Sequence, residues 1–348
     1  MKTRLRYIDF EKGICGLLVI YIHLTFIYNR IPELWFLHRL CIPQFALLAG
    51  YNMAYVEKRN TLQTILSVLG RMISIYFITL LFTQLCAQKP INIAEIINTM
   101  ISGQSLFYAN IPVWYVPHYM SLFLICFLVI KLNYLISLLV EKYFSKKDYV
   151  SYEFLIFASI VLALLGFAYE GENYYYVKQS LILSPITMLG YIINKVDAQV
   201  LNAYELDNKR KMTINIILVF TFFVSLIVFI VATLYGGTVD ILPLIFGDRI
   251  LFYLSTMCGG ISLLIASKFL CSIMFFDALT RIMAYIGRKS LYLCCFTIPI
   301  QEIVFKRLAP HMTNIKEGSA SDIFIKMFVS VVASIAFSYV FERDKNAK

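Results

Sequence analysis

A bundle of about ten membrane-spanning helices, all-α and with both termini in the cytoplasm, is the fold class this sequence predicts. Three observations predict it. Sixty per cent of the 348 residues are hydrophobic and only 15% are charged, whereas an ordinary soluble chain carries about a quarter charged residues. Mean hydropathy is +0.74. The Lys and Arg residues gather on alternate connections between apolar runs. A soluble chain of this size needs a polar surface to cover its core, and this one lacks the residues for it. The apolar content equally excludes disorder.

The apolar runs fall at 13–29, 35–55, 64–86, 112–139, 152–169, 176–194, 212–235, 244–267, 283–305 and 322–341. About 20 residues cross a bilayer as a helix, and backbone polar groups in lipid must pair within the segment, so each run is read as a helix. The sixth is the least regular. Ser184, Pro185 and Gly190 predict a broken or re-entrant segment there. Residues 91–103 have helical periodicity but are too short to span, which predicts a helix lying along the interface. No internal repeat stands out, and the chain reads as one integral-membrane domain over residues 1–348.

The formal net charge is +10. In a soluble protein that would raise nucleic acid as a partner. Here the positive-inside tendency is the simpler cause, and no nucleic acid is expected. Lys2, Arg4, Arg6 and Lys12, then Lys58, Arg59 and Arg71, then Lys142, Lys146 and Lys147 fall on the N-terminal side of the alternation. Lys195, Lys209, Arg210, Lys211, Lys268, Arg281, Arg288, Lys289 and the tail continue it, and this majority marks the cytoplasmic side. The eight Cys lie mostly inside apolar runs without a CxxC pair, and so read as reduced packing residues. The run from Gly13 has a basic flank but no small-residue cleavage pattern, so no cleaved signal is expected.

Ionisable groups within lipid are costly and therefore functional suspects. They are His23, Lys131, His118, Glu302 and Arg249, with Lys12 and Arg71 near the inner face. Lys12 and His23 are eleven residues apart, within about 20° of three full turns, so they share one helix face with a rise of roughly 16 Å. A cation at the cytoplasmic mouth and an imidazole deeper on the same stripe suit two parts of one ligand. The cation meets a phosphate, and the imidazole, with an ordinary pKa near 6.5, accepts a proton. On periodicity alone, a His bonded to a neighbouring backbone carbonyl explains position 23 as well. Arg71 reads either as a phosphate ligand or as a snorkelling anchor. Trp114 suits either the interfacial belt or sugar stacking, and His118 follows it by one turn on the same face. Lys131 is expected to pair or snorkel, and Asp240, Asp248 and Arg249 to form an ion pair. Gly13, Gly16, Gly50 and Gly287 read as close-packing or turn residues.

The segment RLRYIDFEKGICGLLVIYIH resembles the opening helix of the bacterial membrane acyltransferase-3 family, with Arg4 or Arg6, Asp9, Lys12, Gly13 and His23 in place. CIPQFALLAGYNMAY is similar to the family's Pro-x-Phe…Ser-Gly-Tyr segment through Pro43, Phe45, Gly50 and Tyr51. IPVWYVPHYMSLFL resembles its Trp-Phe-Leu helix through Trp114. YIGRKSLYLCCFTIPI resembles its late helix through Gly287, Ser290, Tyr292 and Pro299. Thr297 stands where that helix usually has His, Cys41 where many relatives have His, Ala49 where Ser is usual, and Val68 where a first Arg precedes Arg71.

The resemblance implies transfer of an acyl group, often acetyl, from cytoplasmic acyl-CoA to a hydroxyl of a cell-envelope carbohydrate at the bacterial inner membrane. Lys12, Arg71 and Arg288, with Lys289 beside it, are then the cations for CoA phosphates, and His23 the general base. Trp114 and His118 are candidates for the acceptor, and Asp9, Glu302, Ser290 and Tyr292 for support. Membrane lipid and a glycan are the expected partners, and no metal is expected. A glycan-lipid flippase or other transporter, and a catalytically silent relative in envelope assembly, are the rival readings. Thr297 is what keeps the silent relative open.

Overall fold

The computed structural model describes residues 5–27, 35–86, 91–103, 112–144, 151–204, 208–308 and 319–342. Twelve α-helices fill them: α1 (Arg6–Ile27), α2 (Trp35–Met53), α3 (Thr61–Cys86), α4 (Ile93–Ser102), α5 (Tyr115–Phe144) and α6 (Tyr152–Ala168), then α7 (Val177–Tyr204), α8 (Asn208–Tyr235), α9 (Arg249–Ser272), α10 (Asp277–Arg288), α11 (Ser290–Leu308) and α12 (Ala320–Glu342). No strand occurs among the described residues, only one isolated bridge between Asp240 and Ile245. Among the described residues, six segments are long and apolar enough to cross a membrane: Thr61–Cys86, Pro112–Tyr143, Tyr174–Val200, Lys211–Tyr235, Arg249–Ser272 and Ser321–Tyr339. The protein is an all-α polytopic membrane bundle. All eight cysteines are free thiols, six of them buried.

Helices α4 and α10 are short and two-faced. Asn92 caps α4 by accepting the Glu95 N–H at 3.1 Å, and Gly103, in the left-handed region at φ 66°, closes it by donating to the Thr99 carbonyl. The α4 face carrying Ile96 and Thr99 is buried, while Ile93, Ile97 and Ile101 are exposed. The short helix and its two-faced burial match the helical periodicity read for 91–103, and Gln84 holds it to α3, its Oε1 accepting from the Asn92 N–H at 3.0 Å. Helix α10 corrects the sequence reading. Residues 283–288 belong to an amphipathic helix that ends at Arg288, and α11 starts at Ser290, so the run 283–305 is two helices. The apolar residues 283–287 are a packing stripe rather than the start of a span. The run at 244–267 likewise becomes helical only at Arg249.

By contact the chain forms two units. One comprises Met1–Leu37, Ile73–Pro117 and Ala266–Lys348; the other comprises His38–Met72 and His118–Ile265. The core of the first unit joins α1, α10, α11 and α12 through Ile20, Leu24, Ile286, Leu293, Ile323 and Val331. Within α12 a buried pair, Lys326 Nζ to Asp322 Oδ2 at 2.9 Å, offsets two charges that would be costly alone in lipid.

In the second unit α2 and α7 cross on glycines. A Cβ on Gly50 would overlap the Thr187 carbonyl, and one on Gly190 would overlap the Leu47 carbonyl. Small residues let helix backbones approach closely where no hydrophobic force drives them together. Helix α7 runs unbroken through Pro185, against the expectation of a broken segment. Proline removes the N–H that would bond the carbonyl four residues back. That carbonyl, on Leu181, instead receives the Ser184 hydroxyl at 2.7 Å. The serine that looked like part of a break is therefore the repair.

Arg39 of α2 is fully buried. Its guanidinium donates to the carbonyls of Gly237 at 2.6 Å, Leu251 at 3.4 Å and Ala232 at 3.5 Å, and to Ser255 Oγ at 2.9 Å. The charge thus sits at the C-terminus of α8, where a cation is favoured. A Cβ on Gly236 would stand 2.5 Å from Arg39 Nη2, and Gly237 and Gly247 carry φ of +71° and +54°, so glycines both make room for the guanidinium and turn the chain around it. Arg39→Ala is expected to destabilise by on the order of 3 kcal/mol, because several buried acceptors lose their donor together. Thermal unfolding in detergent checks this, and Arg39→Lys is expected to rescue only in part, since an ammonium lacks the planar fork.

Candidate active site

In the first unit, α1 and α10 meet at a glycine pair. A Cβ on Gly13 would overlap the Met283 carbonyl, and one on Gly287 would overlap the Asp9 carbonyl and stand 2.7 Å from the Gly13 nitrogen. One turn on, the Gly16 position faces Ser290 Cβ and Leu293 Cδ1 of α11, each 3.8 Å from where a Cβ would lie. The crossing sets Asp9 and Lys12 of α1 beside the α10–α11 junction that carries Arg288, Lys289 and Ser290. Asp9 is 3% exposed, Lys12 half-buried, and Arg288 exposed with its guanidinium 5.4 Å from the Tyr285 ring centre. Lys289 is buried, with Nζ 4.8 Å from the Tyr339 ring centre.

The base of this junction is tied down by charge. Arg6 pairs with Asp277 at the start of α10 and donates to the Cys271 carbonyl at the end of α9. Arg281 reaches the same carboxylate at 2.8 Å. Hydrogen bonds from Arg6 and Arg281 hold the Asp277 carboxyl below its usual range. Of the two arginines offered for the family's opening position, Arg6 has this role and Arg4 lies outside the described residues. Glu11 is fully buried, in the electrostatic reach of Lys12 and Lys268, and Lys268 Nζ lies 5.3 Å from the Tyr7 ring centre.

Lys12 and His23 lie on one continuous helix, so their shared face and rise of roughly 16 Å hold. With Val19 they form a line of half-buried positions, next to the buried stripe of Asp9, Gly13, Gly16, Ile20 and Leu24. Asp9 is about 21 Å below His23 along the axis and does not orient it. Tyr292 stacks on Phe296, with centroids 6.4 Å apart, and Thr297 is buried with its hydroxyl on the Leu293 carbonyl at 2.5 Å. The Glu302 side chain and His311 lie outside the described residues. Trp114, in the same unit, is 4% exposed, its ring edge-on to Tyr115 at 6.2 Å.

Arg71 and His118 belong to the second unit. Arg71 is exposed on α3. His118 is fully buried, with Nδ1 2.9 Å from Ser180 Oγ. That hydroxyl also lies 3.0 Å from the carbonyls of His118 and Tyr176. Two carbonyls thus compete for its one proton, which favours the tautomer in which Nδ1–H donates to Ser180 and Nε2 keeps its lone pair. The turn beside it is strained, with Tyr175 and Tyr176 at φ of 51° and 52°, and Ser121 Oγ donates to the Tyr175 carbonyl at 3.0 Å.

Sequence reasoning missed a buried cluster in this unit. Glu57, 2% exposed, accepts from the Tyr191 hydroxyl and from Lys195 Nζ. Nearby in sequence, Tyr51 donates to Asp197 at 3.0 Å and Lys131 Nζ donates to the Arg59 carbonyl. Lys131 therefore pairs with backbone, one of its two expected fates. Asp248 accepts the Leu251 N–H at 2.8 Å, and Arg249 lies 4.3 Å from the Phe167 ring centre, a different arrangement from the ion pair expected among these residues.

A family model described as an acyltransferase domain matches residues 5–343. The chain belongs to the acyltransferase-3 family. The match covers both units and every candidate residue above, from Asp9 to Glu302. No curated protein and no solved structure matches the chain. This acyltransferase-3 protein is thus a multi-pass membrane acyltransferase, and the glycine crossing of α1 and α10 joins two of the segments on which the family resemblance was read.

Proposed function

We propose that the protein moves an acyl group, acetyl in the first instance, from cytoplasmic acyl-CoA to a hydroxyl of a cell-envelope carbohydrate at the bacterial inner membrane. One observation carries the reading. A single helix edge bears Lys12 and His23 three turns apart, and its basic end is packed by glycines against the segment bearing Arg288. Lys12 and Arg288, both of the first unit, hold the CoA phosphates. The thioester reaches along α1 toward His23. The acceptor oxygen attacks the thioester carbonyl while His23 takes its proton, and the tetrahedral adduct then collapses to the ester and CoA thiolate. The thiolate takes up a proton as CoA leaves. Trp114 and His118 serve the acceptor, and Asp9, Ser290, Tyr292 and Glu302 support the site.

NMR of the envelope polysaccharide from wild-type and deletion strains tests the reading. An ester on a sugar carbon is expected to disappear with the gene, and an unchanged ester pattern would contradict it. CoA affinity tests the cations. Removing one charged contact to a phosphate weakens binding by roughly 10–100-fold when the contact is shielded. Lys12→Gln is therefore expected to cost more than Arg288→Gln, because Lys12 is half-buried while Arg288 is exposed and screened by solvent. Titration of acetyl-CoA by calorimetry checks this, and an unchanged affinity in Lys12→Gln would remove its phosphate role.

A further inference from the structure

Within the second unit, α6, α7 and α9 enclose a groove of about 540 Å³, inside the range of roughly 300–1,000 Å³ typical of ligand sites. Its walls are aliphatic, with Ile160, Leu164, Met188 and Met257 among them. Its polar groups are already engaged. The Ser159 hydroxyl donates to the Ile156 carbonyl at 2.7 Å, and the Tyr253 hydroxyl donates to the Ile182 carbonyl at 2.8 Å. Pro185, also in the lining, presents no N–H. Ile156, Ile160, Leu164 and Ile250 are each more than half exposed, so the groove is open along its length to whatever surrounds the helices.

Arg249 is the one charged residue among the described lining residues. It is the first residue of α9, at one end of the groove, and its guanidinium is exposed over the Phe167 ring. The adjacent Asp248 carboxylate is turned to the start of α9, where it accepts the Leu251 N–H. A trough without free polar groups, ended by one cation on an aromatic face, is complementary to an amphiphile with an apolar tail and an anionic head.

We propose that this groove binds an anionic glycerophospholipid of the surrounding bilayer, one acyl chain along α6 and α7 and the phosphate at Arg249. Bilayer lipid is the occupant because the groove opens sideways to it, and its local concentration fills even a modest site by mass action. None of the groove's lining residues is among the acyl-transfer candidates, and the proposal does not depend on the reading of their chemistry.

The test uses the full chain, stripped of lipid in detergent and then returned to nanodiscs containing equal phosphatidylglycerol and phosphatidylcholine. Native mass spectrometry counts the lipids retained after the disc is removed. Wild type is expected to retain phosphatidylglycerol on the order of fivefold over phosphatidylcholine, the effect of one basic side chain on an anionic lipid. Arg249→Gln is expected to bring that ratio near one, and Arg249→Lys to keep part of it. Ala163→Leu, which narrows the groove, is expected to reduce retention of both lipids, with unfolding temperature measured alongside to exclude a folding loss. Equal retention in wild type, or an unchanged preference in Arg249→Gln, would mean ordinary surrounding lipid only and would overturn the proposal. Displacement of phosphatidylglycerol by added polyprenyl phosphate at stoichiometric amounts would overturn it in favour of an isoprenoid occupant.

Discussion

Replacement of His23 by alanine is expected to lower acyl transfer by about 10²–10⁴-fold, the usual contribution of a positioned general base. The protein is expected to accumulate and unfold much as wild type, because the ring is half-buried and stands outside the buried stripe of α1 that packs the core. His23→Gln separates chemistry from packing. Glutamine keeps a polar side chain of similar reach but takes no proton at neutral pH. Equal loss in the alanine and glutamine variants points to proton transfer, whereas near-normal transfer in His23→Gln would reduce position 23 to a hydrogen-bonding role. Steady-state CoA release, read with a thiol reagent, and CoA affinity should part company in these variants. Transfer falls while binding holds, since Lys12 is three turns away.

Gly287→Val carries the second large effect, on structure first and activity through it. The valine Cβ would overlap the Asp9 carbonyl, and the atoms it meets are backbone of a packed helix, so no side chain can swing aside. Overpacking of this kind costs about 1–3 kcal/mol where neighbours can give, and more where they are backbone. Thermal unfolding is expected to fall by several degrees, and CoA affinity to fall with it, because the same crossing holds the α1 segment bearing Lys12 against the α10 segment bearing Arg288. Gly13→Val, against the Met283 carbonyl, is expected to behave alike. Gly70→Ala is the control. A Cβ there meets nothing within 4 Å, and alanine in a helix interior is favoured over glycine by roughly 0.5–1 kcal/mol.

These residues also mark how far the sequence is readable. The helical class, the short two-faced α4 and the free cysteines follow from apolar run length, periodicity and composition, all local quantities. Gly13 and Gly287 were legible as close-packing residues, but their pairing was not, because 274 positions of chain separate them and neither says which helix it faces. Pro185 misled because its cost was visible and its remedy was not. The Ser184 hydroxyl that repairs α7 is adjacent in sequence, yet the same residue also occurs in real breaks. Helix α10 misled in the other direction, since its buried stripe of Ala284, Ile286 and Gly287 merges with the apolar start of α11 when read linearly.

The charged residues divide in the same way. Lys12 and His23 could be related because one helix carries both. Arg39 was not singled out, because the acceptors that surround it lie about 190–220 positions away, beyond any local window. Glu57 escaped notice for the same reason, since Tyr191 and Lys195 come from α7, more than 130 residues on. An arginine inside the apolar run 35–55 is the sequence signal that went unused, and the structure shows it fully buried.

The most direct measurement follows labelled acetyl from acetyl-CoA to envelope polysaccharide in proteoliposomes, with wild type and His23→Ala side by side. With wild type, base-labile label should appear on the polysaccharide in step with release of free CoA, and with His23→Ala both should stay near background. Equal labelling by the two proteins, or labelling without consumption of acetyl-CoA, would contradict the assignment of His23 as the proton acceptor in an acyl-CoA-dependent transfer.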